Sequence, residues 1–440
     1  MIDIVVGRSS SDKKKWGKKG TVYIGKSYIK MGHDVSLANP VYLDVSRAHQ
    51  IFVVGKRGTG KSYTMGVIAE GMIDLEPEIS QNLSIIMLDT MGIYWTMKYP
   101  NKKEESILKE WGVSAKPLNV NIYCPIGFYN DYKKRGIPVD VPFAIKPKEM
   151  EITDWAMLFK IDQYGPIGIV FENVLNKIHK ITSDYDLSEI IKYVKKEEDI
   201  EKNTKLALTN LLENAINWGI FDKNGTDLIS LSKGGQVSIL DVSAYATVKN
   251  GWEIKSMVIG LVAKKLFNYR MISRKYEEFE AINQSMHYFT QKDASKKKQE
   301  MPMVWLIIDE AHEFLPVHGK TLATDSLITI LREGRQPGIS MILATQQPGK
   351  IHTDVLTQSD TVISHRITAK IDTDALGTLM QSYMRSGLDG YLNELPKKKG
   401  ASIIFDDNNE RMYPMQFRPR FTWHGGEDPV AIKKEKKYFE

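Results

Sequence analysis

The chain runs to 440 residues, 42% hydrophobic and 26% charged, with a formal net charge of +6, a balance that fits an ordinary soluble protein of two or three domains. Its single cysteine, Cys124, excludes an intrachain disulfide and a cysteine-based metal site, and argues for a reducing, cytoplasmic setting. No apolar run approaches the roughly 18 residues that span a bilayer, and Met1 to Gly7 lacks the basic-then-apolar layout of a signal peptide, so no membrane partner is expected.

In chain order, residues 1–48 carry short β-rich pieces, Ile2 to Val6, Thr21 to Ile24 and Val41 to Val45, which predict a small N-terminal β-barrel module. From Gln50 onward, strands alternate with longer helical segments. The strands are Ile51 to Val54, Ser84 to Leu88, Val120 to Tyr123, Val237 to Leu240, Val304 to Ile308, Met341 to Ala344 and Thr361 to Ser364. Such alternation predicts an α/β fold with a parallel sheet and crossover helices, divided between 49–144 and 231–415. Residues 145–230 show helical periodicity with little strand signal, as in Ile190-Ile191-Tyr193-Val194, and read as a helical insertion. Gln284 to Glu300 is polar, lysine-rich and aperiodic, a loop placed just before a buried strand, and 416–440 forms a C-terminal tail.

The first apolar strand leads into Gly55-Lys56-Arg57-Gly58-Thr59-Gly60-Lys61-Ser62, which fits G-x-x-x-x-G-K-[ST]. Glycines let backbone N–H groups turn toward phosphates, Lys61 reaches the β/γ oxygens, and the Ser62 hydroxyl is a Mg²⁺ ligand. A helix opening at Lys61 adds its positive end to the same anion. ATP and Mg²⁺ are therefore the expected cofactors, and the fold becomes a RecA-like P-loop NTPase core.

Far downstream, Met303 to Ile308 runs into Asp309-Glu310-Ala311-His312-Glu313. Asp309 is placed to hold Mg²⁺ through water, and Glu310 to polarise the water that attacks the γ-phosphate. The next strand ends in Thr345-Gln346. Gln346 either senses the γ-phosphate or orients water, since an amide both donates and accepts, or it simply caps the strand. Arg332 and Arg335 close the helix between these strands, either as C-terminal helix charge or as an arginine finger. Too little chain follows Ser364 for a second lobe of about 100 residues, so a finger has to come from another copy of the chain, which favours a ring. Basic clusters at Lys13 to Lys15, Lys18-Lys19, Lys296 to Lys298, Lys397 to Lys399 and Lys433 to Lys437 are either phosphate contacts or solvated loops.

These residues in this order resemble the HerA-like branch of the HerA/FtsK hexameric P-loop ATPases. The resemblance includes Asp89-Thr90-Met91-Gly92-Ile93-Tyr94, the Arg332 to Pro337 turn, Arg366, Arg418-Pro419-Arg420 and His424-Gly425-Gly426. Two positions depart from the family pattern: Ile93 stands where a glutamate is usual, and Arg47-Ala48-His49 displaces an arginine that usually adjoins the histidine. The resemblance implies a homohexameric ATPase that translocates or unwinds double-stranded DNA, acting with a NurA-type nuclease in end resection and repair. A conjugation or packaging-type motor is the alternative within motors, and a nucleotide-gated scaffold of a defence complex is the alternative outside them.

Overall fold

The computed structural model describes residues 2–31, 34–182, 184–286, 301–367, 369–377, 390–392 and 394–426. Among the described residues the thirteen strands are β1 (Ile4–Val6), β2 (Thr21–Met31), β3 (Asp34–Asp44), β4 (Gln50–Val54), β5 (Leu83–Asp89), β6 (Val120–Pro125), β7 (Val141–Phe143), β8 (Gln236–Asp241), β9 (Met303–Ile308), β10 (Ile339–Thr345), β11 (Thr361–His365), β12 (Ala401–Asp406) and β13 (Arg411–Phe417). They join in one sheet of order β1-β3-β2-β13-β12-β11-β4-β10-β9-β5-β8-β6-β7. From β11 to β7 every pairing is parallel, the RecA-like core that the alternating pattern predicts.

The core strands are apolar on both faces because helices cover both. Phe52, Val54, Leu306 and Ile308 enter one core with the long helix Gly251–Met286 and the helices of residues 152–217. Ile51, Val53, Trp305 and Ile307 enter the other, with the P-loop helix Lys61–Ile73 and the N-terminal strands. The two-residue period of a strand sorts neighbouring side chains into these opposite layers.

At the other end, β12, β13, β2 and β3 pair antiparallel. The N-terminal strands therefore extend the core sheet through the β13–β2 pairing, and among the described residues their pairings do not close into the small barrel expected for 1–48. The β2–β3 hairpin is also longer than the short pieces read there, because Gly25 and Lys26 interrupt the apolar alternation yet stay paired in the ladder, which shifts register on either side of them. Residues 152–217 hold four helices, Ile152–Phe159, Pro166–Ile181, Leu187–Lys196 and Lys202–Asn217. Of the expected Gln284 to Glu300 loop, 284–286 finish the long helix, while 287–300, with Lys296 to Lys298, lie outside the described residues, as do Lys433 to Lys437. No helix among the described residues is long and apolar enough to cross a membrane.

Candidate nucleotide site

The loop Gly55 to Gly60 leaves the C-terminal end of β4 and enters the P-loop helix at Lys61. Gly58 (φ 77°) and Gly60 (φ 117°) hold left-handed backbone that a side chain would strain. The Lys56 N–H donates to the Arg366 carbonyl (3.2 Å) and the Thr59 hydroxyl to the Lys56 carbonyl (2.8 Å), so the loop is tied to the end of β11 and to itself. Lys61 Nζ donates to the carbonyls of Gly55 (2.9 Å) and Lys56 (3.1 Å). Burial pulls the ammonium below the usual lysine range, against the attraction of Asp309 and Glu310.

Beneath the loop stands a residue with no local sequence signal. His365, fully buried, meets Thr64 Oγ1 at 3.0 Å and the Ala401 carbonyl at 3.2 Å. Burial, with the Lys61 charge, lowers it to about 4, so it supports the loop as a neutral ring.

The Ser62 hydroxyl donates to Asp309 Oδ2 at 2.8 Å, joining the two sequence motifs across 247 residues. Asp309 Oδ1 accepts from the Glu310 N–H at 2.8 Å. Burial and the neighbouring Glu310 raise the Asp309 carboxyl, opposed by the Ser62 hydrogen bond. A hydroxyl and a carboxylate converging beside a lysine form the oxygen donor set that suits Mg²⁺ with its remaining waters.

Glu310 adopts a left-handed backbone (φ 51°, ψ 41°) at the strand end, a conformation that a non-glycine residue holds only when its surroundings enforce it. Gln346 Nε2 donates to Glu310 Oε1. Oε2 is buried with no hydrogen-bond partner among the described residues and lies 3.7 Å from His312 Nδ1. His312 is itself held by Thr345 Oγ1 at 3.0 Å. The arrangement therefore holds one carboxylate oxygen in place and leaves the second without a donor, a proton acceptor for any water that reaches it.

Lys61, Ser62, Asp309, Glu310 and Gln346 thus meet at one end of the sheet. Arg332 and Arg335 do not join them. They lie before β10 begins, at the N-terminal end of strands whose C-terminal ends carry the loop, about 16 Å away at roughly 3.3 Å per residue. Arg332 pairs with Asp354 (2.6 Å) and Arg335 with Asp360 (2.7 Å). Arg335 and Arg47 line one 620 Å³ cavity there with His49.

Sequence reasoning also missed how the tail is fixed. Glu70, buried on the P-loop helix, accepts from Arg418 Nη1 (2.6 Å), the Phe421 N–H (3.0 Å), the Thr422 N–H (3.1 Å) and the Thr422 hydroxyl (2.7 Å). A carboxylate inside Val67-Ile68-Ala69-Glu70-Gly71-Met72 is the signal that was there to find. Asp89, in the segment shared with the resemblance, caps its own turn: its carboxylate accepts from the N–H groups of Gly92 (2.7 Å) and Tyr94 (2.8 Å).

The parallel sheet, the loop on β4 and the acid pair on β9 together define a RecA-like P-loop ATPase core. The family described as "Helicase HerA, central domain" matches residues 22–262, more than half of the chain, and "Zonular occludens toxin (Zot)" matches 236–383. The chain belongs to the HerA helicase family. It is 26% identical over 377 residues to the probable DNA double-strand break repair helicase HerA of Methanocaldococcus jannaschii, covering 80% of this chain and 69% of that protein. To the DNA double-strand break repair helicase HerA of Pyrococcus furiosus it is 27% identical over 155 residues, 34% of this chain and 27% of the other. VirB4 of Thermoanaerobacter pseudethanolicus shares the fold, with a TM-score of 0.52 over 91% of this chain and 96% of that one at 13% identity.

Proposed function

We propose that this protein is an ATP-driven motor on double-stranded DNA, a homohexameric translocase or helicase whose hydrolysis sites lie at subunit boundaries. The observation that carries the ATPase part is the 2.8 Å hydrogen bond from Ser62 to Asp309, with Glu310 and Gln346 at the adjoining strand ends. In this reading Lys61 leaves the Gly55 and Lys56 carbonyls to meet the β/γ oxygens. Ser62 and Asp309 hold Mg²⁺, which when bound neutralises phosphate charge. Glu310 Oε2 accepts the proton of the attacking water, and Gln346 keeps the other carboxylate oxygen in place.

Arg335 serves a neighbour's site, because it sits a strand length from its own. The motor core is 49–144 with 231–415, flanked by the N-terminal strands of 1–48, the helical insertion 145–230 and the tail 416–440. DNA as the track is supported by the names of the two relatives, which also favour repair over other pathways; a NurA-type nuclease partner belongs to the same reading through the family resemblance alone.

The test is the ATPase rate of the assembled protein with and without duplex DNA, beside a duplex-binding titration at low salt. Stimulation by DNA of unrelated sequences is expected, since backbone contacts carry no base information. An assembled ring that neither binds duplex at low salt nor changes its rate sinks the DNA-motor reading.

A further inference from the structure

A 580 Å³ cleft that shares no residue with the phosphate loop is lined by three aromatic side chains. Trp95 and Tyr99 come from the short helix Tyr94–Lys98 and the residue after it, Trp423 comes from the tail, and Pro100 and Pro138 extend the wall. Tyr94 and Met97 of that short helix enter the same core as the P-loop helix, which puts the cleft on that face of the sheet. Among the described residues that line it, Lys102 is the one charged group and none is acidic. We propose that this cleft binds single-stranded nucleic acid, with bases stacked on the three rings and backbone phosphates drawn to Lys102 and Lys134.

The rings are exposed while the backbone that carries them is fixed. Tyr99 is 47% and Trp423 38% exposed. The Trp423 N–H donates to the Tyr99 carbonyl (2.7 Å), the Asn101 N–H to the Phe421 carbonyl (3.0 Å), and Thr96 Oγ1 to the Trp423 carbonyl (3.0 Å). Trp95 packs against the core and meets Tyr99 edge-on, with ring centres 6.1 Å apart. The wall at Pro138 is held as well: Lys98 Nζ pairs with Asp140 Oδ1 (2.6 Å), and Asp140 Oδ2 accepts from the Ile122 N–H (2.8 Å). Platforms already in place lose little freedom when a ligand lands on them.

Charge selects the ligand. An aromatic and proline wall by itself suits a proline-rich peptide equally well. Here the segments beside the cleft carry Lys102, Lys103, Lys133, Lys134 and Arg135. Lys102 and Lys134 are exposed and hold no ion pair among the described residues. Rings for the bases beside cations for the backbone are the combination that grips single strands, and it reads little sequence because every base offers a π-face.

The test is a fluorescence-anisotropy titration of the full chain without nucleotide, using a labelled oligothymidylate longer than the roughly 4–16 nucleotides of one single-strand site. A blunt duplex and a labelled oligoproline peptide are titrated beside it. The wild type is expected to bind oligothymidylate at low salt. Tyr99→Ala and Trp423→Ala should each weaken that binding about tenfold, whereas Tyr99→Phe, which keeps the ring, should bind as the wild type does. Lys102→Ala should flatten the salt dependence by about 0.7 in slope, the share of one phosphate contact on a single strand. Duplex affinity should not change with the ring substitutions. A wild type that binds no oligothymidylate overturns the proposal, as does wild-type affinity in both alanine variants or an equal loss of oligothymidylate and duplex. A cleft that takes oligoproline in place of oligothymidylate, and loses it in the same variants, also overturns it. None of these outcomes touches the motor reading, which the duplex-stimulated ATPase rate tests separately.

Discussion

Arg418 and Glu70 stand 348 residues apart in sequence and 2.6 Å apart in space, both almost wholly buried. The carboxylate is saturated: two backbone N–H groups and the Thr422 hydroxyl share it with the guanidinium. Arg418 in turn donates to the carbonyls of Tyr23 and Val67, so one ion pair ties the tail, the N-terminal hairpin and the P-loop helix.

Glu70→Ala should destabilise the protein by about 3–5 kcal/mol, because it leaves a buried guanidinium without its counter-charge. Denaturant midpoints measure this. The double variant Glu70→Ala with Arg418→Met should recover part of the loss, since removing both charges costs less than stranding one. A double variant no more stable than the single would contradict the account.

Gly66, on the same helix, faces the second guanidinium of the tail. A Cβ there would lie 2.6 Å from Arg420 Cζ. Helix propensity alone favours alanine over glycine by about 1 kcal/mol. Overpacking a filled core costs about 1–3 kcal/mol, so Gly66→Ala should lower the melting temperature despite its better propensity. A rise would show that Arg420 moves aside freely.

Seven of the eight parallel strands on the motor side are legible because each is an apolar run buried on both faces and bounded by turns. β7, β12 and β13 lie outside the strands that the sequence predicts. β7 has three residues, and β13 interrupts its pattern with Arg411, Pro414 and Gln416. The phosphate loop and the Asp309-Glu310 pair are legible because their chemistry demands fixed local spacing. His365 beneath the loop and Glu70 under the tail are set by contacts across the sheet, and no local spacing encodes those. The position of Arg335 on the far end of the sheet likewise follows from strand direction, which only the assembled topology fixes.

Lys61→Ala and Glu310→Gln should fail differently. The first removes the cation for the β/γ oxygens and should weaken nucleotide binding together with turnover. The second keeps the shape and the Gln346 contact but cannot take a proton, so ATP should bind and persist, with turnover down by about 10²–10⁴-fold. Single-turnover hydrolysis with parallel ATP binding separates the two. Wild-type turnover in Glu310→Gln would remove the carboxylate from its assigned role.

His49 links pH to stability. Burial disfavours its charge, but the Asp360 carboxylate, 3.3 Å from Nδ1, and the Asp44 carboxylate, 3.9 Å from Nε2, prevail and raise it to about 9. A histidine raised above its unfolded value of about 6.5 stabilises fully below that pH, and the contribution fades as pH climbs through the folded value. Stability should therefore fall by about 3 kcal/mol between pH 6.5 and 9.5 from this group. Urea midpoints across that range should flatten in His49→Gln. An equally steep decline in the variant would assign the pH dependence elsewhere.

Asp360 also holds Arg335, whose side chain is 55% exposed. The guanidinium is the exposed member of the pair, and His49 keeps the buried Asp360 carboxylate paired, so Arg335 is free to exchange Asp360 for a neighbour's phosphate. Arg335→Ala should consequently fold normally, bind nucleotide nearly as the wild type does, and lose turnover, as expected of a contact made mainly in the transition state. Removal of a finger typically costs about 10³-fold or more. Arg332→Ala should lose less, because Arg332 is held by Asp354 on the neighbouring short helix Thr353–Gln358. Mixing decides between sites in cis and in trans. Rings combining Arg335→Ala subunits with Lys61→Ala subunits contain boundaries where an intact loop meets an intact arginine from the other copy, so a trans finger restores part of the activity. Rings proven to be mixed, by differently tagged subunits co-purifying, yet still inactive would place the arginine's role within its own chain or outside catalysis.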